Sequence, residues 1–337
     1  MHLRLRLPAL LITLFVLAVS GCSNDTAEEP PPPAPPASSE ASEPTPTETP
    51  TKKPKPKPKP KPTDALNGGK VSKNGVYAVK IDNVAQARPQ IGISAADIIV
   101  VEEVESSLTR LVAVFHSSYP KAVGPVRSAR NTDVEFLPLF GKPGLVYSGA
   151  NRKVQANVQG SKNLVAMERS DRDSSRPAPH NVVVNLADLA KNSKVGKAPK
   201  SIGWTFNGSE KAWKRAKKSG KQTEKVGADT FTFTRKGKRY QIAVNGDTYD
   251  DATTRKNLLA DNIVVLSVKN RRDTDTTSNL SIVSETVGKG KVSITRNGKT
   301  ITGTWQRKKV GSPMTFTDAK GKPIELKPGK TWLLLQG

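Results

Sequence analysis

The sequence has few of the residues that most often carry chemistry in proteins. Its 337 residues include one cysteine and three histidines, and aromatic residues make up 5%. A single cysteine excludes a disulfide within the chain. No P-loop, GxGxxG or GxSxG motif is present, so nucleotide binding of those kinds and α/β-hydrolase chemistry have no support in the sequence. With so few aromatic residues, the core must consist mainly of Val, Ile, Leu and Ala.

The one cysteine follows a short apolar segment near the start of the chain. Two arginines precede an apolar run at residues 10–19, which is typical of a signal peptide and short for a membrane span. The run ends in Val19-Ser20-Gly21-Cys22, the pattern of a bacterial lipobox. The alternative is an ordinary signal peptide with an incidental cysteine. We interpret residues 1–21 as a lipoprotein signal peptide. Cys22 is then the acylated residue, carrying chains such as palmitate, that anchors the protein on the extracytoplasmic face of the cell membrane.

A polar segment rich in proline separates this cysteine from the rest of the chain. Residues 22–65 contain almost no large apolar side chains, and residues 52–62 alternate lysine with proline. Such a composition cannot bury enough surface to offset its ordering entropy, and it favours extended polyproline II. We therefore predict a disordered tether at 22–65. Its lysines bind anionic lipids or wall polymers, or the tether is only a solvated spacer.

The chain is strongly basic, with a net charge of +24. A basic surface favours anionic partners. Nucleic acid is disfavoured as a partner, because the chain carries an export signal and shows no nucleic-acid recognition module. Outside a cell, the natural polyanions are wall polymers and phospholipid headgroups.

The first part of the globular region, residues 66–207, is predicted to be a mixed α/β domain. Runs rich in β-branched residues predict strands at residues 76–81, 97–104, 108–116, 145–147 and 181–184. Helices are predicted after capping residues Ser128, Asn151 and Asn185, at residues 130–137, 152–158 and 186–191.

The second part, residues 208–337, is predicted to be mainly β. A cationic stretch at 209–221 is interpreted as a short exposed helix and a domain joint. Strands are predicted beyond it at residues 230–234, 239–244, 262–269, 291–296 and 300–306. Asn297-Gly298 is a strong hairpin signal. The fold class is therefore α+β: a mixed α/β part, then a mainly β part, behind a tether rich in proline and lysine.

Several polar motifs of this region resemble the YerB-like lipoprotein family, a bacterial domain of unknown function with two parts. The resemblance rests on residues 90–97, 105–115, 124–130, 179–181, 303–305, 318–321 and 326–332. It covers nearly everything after the tether. It implies an envelope lipoprotein and brings no established activity, cofactor or catalytic residue.

An arginine-rich motif at the start of a predicted helix suggests an anion site. Arg127, Ser128 and Arg130 combine free amide groups with guanidinium groups that bind phosphate or carboxylate in a bidentate manner. We expect Arg110 to emerge at the same edge of the sheet, and Asn181 lies in a neighbouring loop. The alternative is an internal network in which these arginines pair with glutamates, and both hold if a ligand replaces a carboxylate. The predicted ligand-binding residues are Arg110, Arg127, Ser128, Arg130 and Asn181.

Catalysis is the rival interpretation of the same region. Glu103, Glu105 and His180 are the candidates for general acid–base chemistry near an arginine clamp. His180 can equally orient its loop through hydrogen bonds. Metal binding has little support, because no HxxxH or ExxH spacing occurs, and no cofactor is predicted. Trp305 and Trp332 are interpreted as core residues rather than as sugar-stacking platforms.

Two functions therefore stay open. The favoured one is an envelope module that binds an anionic wall polymer, lipid headgroup or peptide carboxylate. The other is an envelope hydrolase or transferase that uses a glutamate or His180. No complete set of nucleophile, base and orienting group is evident in the sequence, so whether the protein is an enzyme stays open.

Overall fold

The computed structural model describes residues 63–337, so the predicted signal peptide, Cys22 and the lysine–proline tract lie outside the described residues. Folded structure begins before residue 66. Asp64 is 2% exposed, accepts a hydrogen bond from the Leu66 backbone nitrogen at 2.9 Å, and lies 3.1 Å from His116 Nε2. Sequence patterning places Asp64 in the tether because its partner lies some fifty residues further along the chain.

The first part of the described chain alternates strands and helices, as predicted. Its strands are β1 (Tyr77–Asp82), β2 (Ile98–Glu103), β3 (Thr109–Phe115), β4 (Gly144–Tyr147) and β5 (Val165–Glu168). Its α-helices are α1 (Asn131–Phe136), α2 (Arg152–Gly160) and α3 (Leu186–Asn192). Short 3-10 helices occupy Ala85–Ala87, Ile93–Ala95, Glu105–Ser107 and Leu137–Phe140.

The second part contains strands only. They are β6 (Lys217–Lys218), β7 (Lys221–Val226), β8 (Asp229–Lys236), β9 (Arg239–Val244), β10 (Asp247–Thr248), β11 (Asp250–Asp251), β12 (Lys256–Asn257), β13 (Leu259–Ala260), β14 (Asn262–Ser267), β15 (Lys269–Arg272), β16 (Ile282–Glu285), β17 (Gly288–Arg296), β18 (Lys299–Arg307), β19 (Met314–Thr317) and β20 (Thr331–Gln336). The predicted α+β class is confirmed.

One 11-stranded sheet joins both parts of the chain. Its order is β19-β18-β17-β14-β20-β2-β3-β1-β4-β5, with β6 paired to β18. The join is β20, which runs parallel to β14 on one side and to β2 on the other. Strands from both predicted domains therefore share a single sheet.

Both faces of this sheet are buried, and alternate residues of each central strand supply the two cores. On one face, Val100 and Leu333 pack with Phe136 and Val154 of α1 and α2. On the other face the core is covered by the smaller sheet β10-β9-β8-β7, which also carries β13. Strands buried on both faces must be apolar throughout, which explains the near-continuous apolar runs of β2 and β3. Trp305 and Trp332 are each 2% exposed, so their interpretation as core residues is confirmed.

Some local predictions differ from the structure. The expected helix at 209–221 is a series of turns followed by β6 and β7. Its Trp213 is fully buried, and Arg296 donates to the backbone carbonyls of Asn207 and Ser209, so tertiary contacts override the helical composition. The strand expected at 181–184 forms only isolated bridges. Asn151 and Asn185 cap α2 and α3 as predicted, whereas α1 has Arg130 rather than Ser128 at its N-cap.

Among residues 63–337, no helix combines the length and the apolar character needed to cross a membrane.

Candidate functional site

The end of β1 carries a buried carboxylate that holds two partly exposed basic side chains. His180 Nδ1 lies 2.7 Å and Arg127 Nε 3.0 Å from Asp82 Oδ2. Asp82 is 2% exposed, whereas the side chains of Arg127 and His180 are 28% and 14% exposed. We call these three residues the Asp82 cluster.

Backbone hydrogen bonds bring the three residues of the Asp82 cluster together. The Asp82 backbone nitrogen donates to Pro125 O at 2.9 Å, and the Arg127 nitrogen donates to Lys80 O at 2.9 Å. The segment that precedes α1 therefore runs beside β1. On its other side, the Val126 nitrogen donates to Val182 O at 2.7 Å, which brings the loop containing His180 to the same place.

A second group, the Glu105 cluster, consists of Glu105, Arg110 and Arg130. Arg130 Nε donates to Glu105 Oε2 at 2.8 Å and its Nη2 donates to Oε1 at 2.5 Å, while Arg110 Nη2 donates to Oε1 at 3.0 Å. Partial burial would raise the pKa of Glu105, but the two arginines outweigh it and hold that pKa at about 2. The Glu105 carboxylate is therefore ionised at neutral pH and neutralises part of the arginine charge.

Beneath these clusters lies a fully buried group of charges, the buried triad of Lys80, Glu102 and Asp133. Lys80 Nζ contacts a Glu102 carboxylate oxygen and lies 2.8 Å from Asp133 Oδ1. Exposure is 0% for Lys80 and 1% for each acid. Burial raises the pKa of Glu102 to about 7, since Lys80 offsets only part of the desolvation.

The other predicted site residues lie at different places. Glu103 follows Glu102 in β2 and so points to the opposite face, where its carboxylate accepts from Asn270 Nδ2 at 3.0 Å. Asn181 is 7% exposed and accepts from Arg172 Nη1 at 2.7 Å. The carbonyl of Ser128 accepts from Arg110 Nη1 at 3.0 Å, and its hydroxyl donates to the Ser148 carbonyl at 3.2 Å.

A cavity opens beside the Glu105 cluster. Its volume is about 250 Å³, and Glu105, Ser128, Arg130 and Asn151 contribute to its lining. Three of the predicted site residues thus converge on one cavity. Arg127 and His180 lie outside it, in the neighbouring Asp82 cluster.

Sequence patterning misses the residue that organises the Asp82 cluster. Asp82 and Asn83 close the first predicted strand, which marks them as polar residues at a sheet edge, but nothing local identifies His180 as a partner 98 residues away. Asn83, which is fully buried, is also missed. It donates to Thr109 Oγ1 at 2.6 Å and accepts from the Tyr249 hydroxyl, so it connects the end of β1 to β3 and to the residue between β10 and β11.

This arrangement can bind an anion, and it holds part of a catalytic set. His180 has a carboxylate on Nδ1, which is the orientation a general base requires. Within residues 63–337, however, no serine, threonine or tyrosine hydroxyl is hydrogen-bonded to His180. The same residues contain no group of three or more His, Cys, Asp or Glu side chains arranged to hold a metal ion.

Two family descriptions match this chain. "Protein of unknown function (DUF3048) N-terminal domain" matches residues 63–199, and the corresponding C-terminal domain matches residues 222–333. The chain belongs to the DUF3048 family. The family resemblance predicted from the motifs is confirmed, and the segment at 200–221 lies between the two matched regions.

Known relatives agree with this assignment. The Bacillus subtilis (strain 168) protein named "Putative lipoprotein YerB" is 28% identical over an alignment of 287 residues, which covers 78% of this chain and 82% of that protein. A crystal structure of the YerB protein from Bacillus subtilis matches with a TM-score of 0.67 at 22% identity, over 81% of this chain and 96% of that one. The structural likeness shows that the two proteins share a fold.

Proposed function

We propose that this DUF3048 protein is a lipoprotein of the cell envelope, held on the extracytoplasmic face of the cell membrane by acylated Cys22. The lipobox at residues 19–22 and the position of the only cysteine support this anchor. A relative that carries the word lipoprotein in its name adds weight.

A substitution tests this anchor directly. Cys22→Ala should release the protein from the membrane fraction, because acyl chains supply the membrane affinity. The fold of residues 63–337 should be unchanged, because their two cores are built from side chains of this region alone. Retention of the variant in membranes after a high-salt wash would contradict lipid anchoring.

We further propose that the folded region binds an anionic ligand of the envelope: a wall polymer, a lipid headgroup or a peptide carboxylate. The observation that carries this proposal is the Asp82 cluster, in which one buried carboxylate holds His180 and Arg127 side by side and partly exposed. Arg127 Nε forms an ion pair with Asp82 at 3.0 Å without an aligned hydrogen bond, and its Nη1 and Nη2 have no hydrogen-bond or ion-pair partner within residues 63–337. Those two nitrogens have the geometry for bidentate binding of phosphate or carboxylate.

The neighbouring predicted residues take supporting roles in this proposal. Arg110 and Arg130 raise the local positive potential, and each becomes a direct ligand if the bound anion displaces the Glu105 carboxylate. Ser128 borders the cavity beside them, and Asn181 follows His180 in its loop. The displaced carboxylate would be released toward the cavity, where its side chain is already 26% exposed.

The test compares two arginine variants of equal charge. The full chain is incubated with fractionated envelope components, and retention is measured for Arg127→Gln and for the exposed control Arg152→Gln. Loss of a charge-assisted contact is worth about 1.5–3 kcal/mol, so Arg127→Gln should weaken retention about tenfold or more. Equal retention of the two variants would contradict the proposed site.

The second candidate function, an envelope hydrolase or transferase, rests on the 2.7 Å contact between His180 and Asp82. In that reaction His180 acts as a general base toward water or a substrate hydroxyl. Glu105 is poorly suited as a general acid, because its pKa of about 2 keeps it ionised. Product formation from an envelope fraction that is lost in His180→Gln would favour catalysis, whereas retention without turnover favours binding.

A further inference from the structure

A basic cleft lies in the second part of the chain, apart from the clusters described above. It has a volume of about 860 Å³. Its cationic lining residues are Lys218, Arg235, Lys238, Lys299 and Lys327. Such a volume lies in the upper part of the range of about 300–1,000 Å³ that is common for ligand sites.

Most of the positive charge in the basic cleft is not balanced by carboxylates. Lys327 Nζ lies 2.6 Å from Asp261 Oδ1, and the lining residue Glu210 lies 3.4 Å from Arg296 Nη2. The other four cationic residues form no ion pair within residues 63–337. The cleft therefore keeps a net positive charge that a ligand could neutralise.

Two of these lysines oppose each other across a pair of strands. Lys299 of β18 is the direct partner of Lys218 of β6 in the antiparallel register. Like charges in this position, with Cβ atoms about 5 Å apart, destabilise a sheet. An anion bound between them would relieve the repulsion, so anion binding at this place is favourable.

The floor of the basic cleft is held rigidly by buried hydrogen bonds. The Tyr240 hydroxyl donates to Ser219 O at 3.0 Å and accepts from the Gly298 nitrogen at 2.7 Å. The Ser219 nitrogen donates to Gly298 O at 2.7 Å. Gly298 has φ +79°, and a Cβ at this position would lie 2.5 Å from Arg235 Nη1, so the absence of a side chain lets the guanidinium group lie against the turn.

One wall of the basic cleft is the segment between the two family regions, and it is fixed in place. Arg296 is fully buried, with its guanidinium carbon 4.6 Å from the centre of the Trp213 ring. It also donates to the carbonyls of Asn207 and Ser209. The lysine-rich segment that follows is thereby fastened along the cleft.

We propose that the basic cleft is a second binding site of this protein and that its ligand is an extended polyanion with repeating phosphate groups. Four of the five cationic side chains in the lining have no carboxylate partner within residues 63–337, which is more positive charge than one phosphate ion neutralises, so a chain of anions suits the cleft better than a single ion. The concave shape suits a chain better than a flat bilayer. Arg235 presents a planar group for phosphate, and the lysines act as point charges around it.

The test uses long-chain polyphosphate as the probe, with orthophosphate and vesicles of anionic phospholipid as comparisons. All proteins are full chains in which the tether lysines are replaced by glutamine, so that the tether does not mask the cleft. The cleft variant is Lys218→Gln with Lys299→Gln. The control is Lys153→Gln with Lys162→Gln, an exposed pair that removes the same charge elsewhere.

We expect polyphosphate to bind with a steep salt dependence, and the cleft variant to bind about tenfold more weakly than the control. Without polyphosphate, the cleft variant should melt at the same temperature as the parent or higher, because a like-charge pair is removed. Equal affinity of the two variants would overturn the proposal. So would a loss confined to orthophosphate or to vesicles, which would indicate a single-ion site or a membrane contact instead.

Discussion

Glu102 offers the sharpest test of the electrostatic reasoning, because it is an acid in a fully buried group of charges. It is 1% exposed and contacts Lys80, which also forms an ion pair with Asp133. Burial disfavours its carboxylate form, and the negative charge of Asp133 adds to that effect. Together they raise the pKa of Glu102 from its ordinary value of 4.5 to about 7 against the attraction of Lys80.

This raised pKa fixes the sign and the size of a pH effect. The folded state binds the Glu102 proton more tightly than the unfolded state, so the stabilising contribution is complete below pH 4.5. It is lost as the pH rises through about 7. At 1.36 kcal/mol per pH unit, the difference between 4.5 and 7 corresponds to about 3 kcal/mol.

The variant Glu102→Gln removes this titration and preserves the side-chain shape. Relative to the parent, it should gain up to about 3 kcal/mol in free energy of unfolding between pH 5 and pH 8. Urea unfolding of both proteins at several pH values measures this difference, and the exposed Glu168→Gln is the control. Parallel pH profiles for the parent and Glu102→Gln would refute the reasoning.

Lys80→Met should instead lower the free energy of unfolding by about 3–5 kcal/mol, because it leaves buried carboxylates without a cation.

Three further variants test other parts of the fold. Partial burial would raise the pKa of Asp64 and lower that of His116, but the hydrogen bond between them outweighs burial and shifts both pKa values the other way. Both groups are therefore charged between pH 3.8 and 6.5, and thermal melts should show the largest loss of stability for Asp64→Asn in this range. Above pH 6.5, His116 loses its proton as the pH passes its raised pKa, so the free energy lost in Asp64→Asn should become smaller. Glu105→Gln should cost about 3 kcal/mol, since two arginines lose their carboxylate, and should abolish the stability loss of the parent between pH 4.5 and about 2 in urea unfolding. Tyr240→Phe should lower the free energy of unfolding by about 1–2 kcal/mol, because two backbone groups lose a buried partner; an unchanged value would argue against that network.

Local sequence patterns predict most elements of this fold. Runs of β-branched residues locate β1, β2 and β3 within one or two residues, and Asn151 and Asn185 correctly mark two helix starts. These features depend on short-range preferences that a few neighbouring residues determine.

The failures occur where distant residues decide the structure. Residues 209–221 are rich in lysine and favour a helix locally, but the burial of Trp213 and the contacts of Arg296 hold them in turns and strands. Likewise, the order of strands in the central sheet follows from long-range pairing that no local pattern encodes.

The candidate site shows the same division. The glutamates and arginines near residues 102–130 could be predicted to lie close together, because they follow neighbouring strands. Which carboxylate pairs with which arginine could not be predicted. Glu105 forms ion pairs with Arg110 and Arg130, whereas Arg127 forms an ion pair with Asp82. These choices depend on side-chain geometry that only the folded backbone defines.

The central position of β20 has a consequence for the order in which the sheet can be completed. Ile98 of β2 pairs with Thr331 of β20, so the middle of the sheet stays open until the last strand in chain order is available. A chain that crosses a membrane from its N-terminus onward would therefore emerge with β2 and β14 unpaired at their facing edges. Open edges of apolar strands invite aggregation. If the protein is exported as we propose, chains truncated before residue 331 should be the main targets of quality control, because they contain both halves of the sheet and lack the strand that joins them.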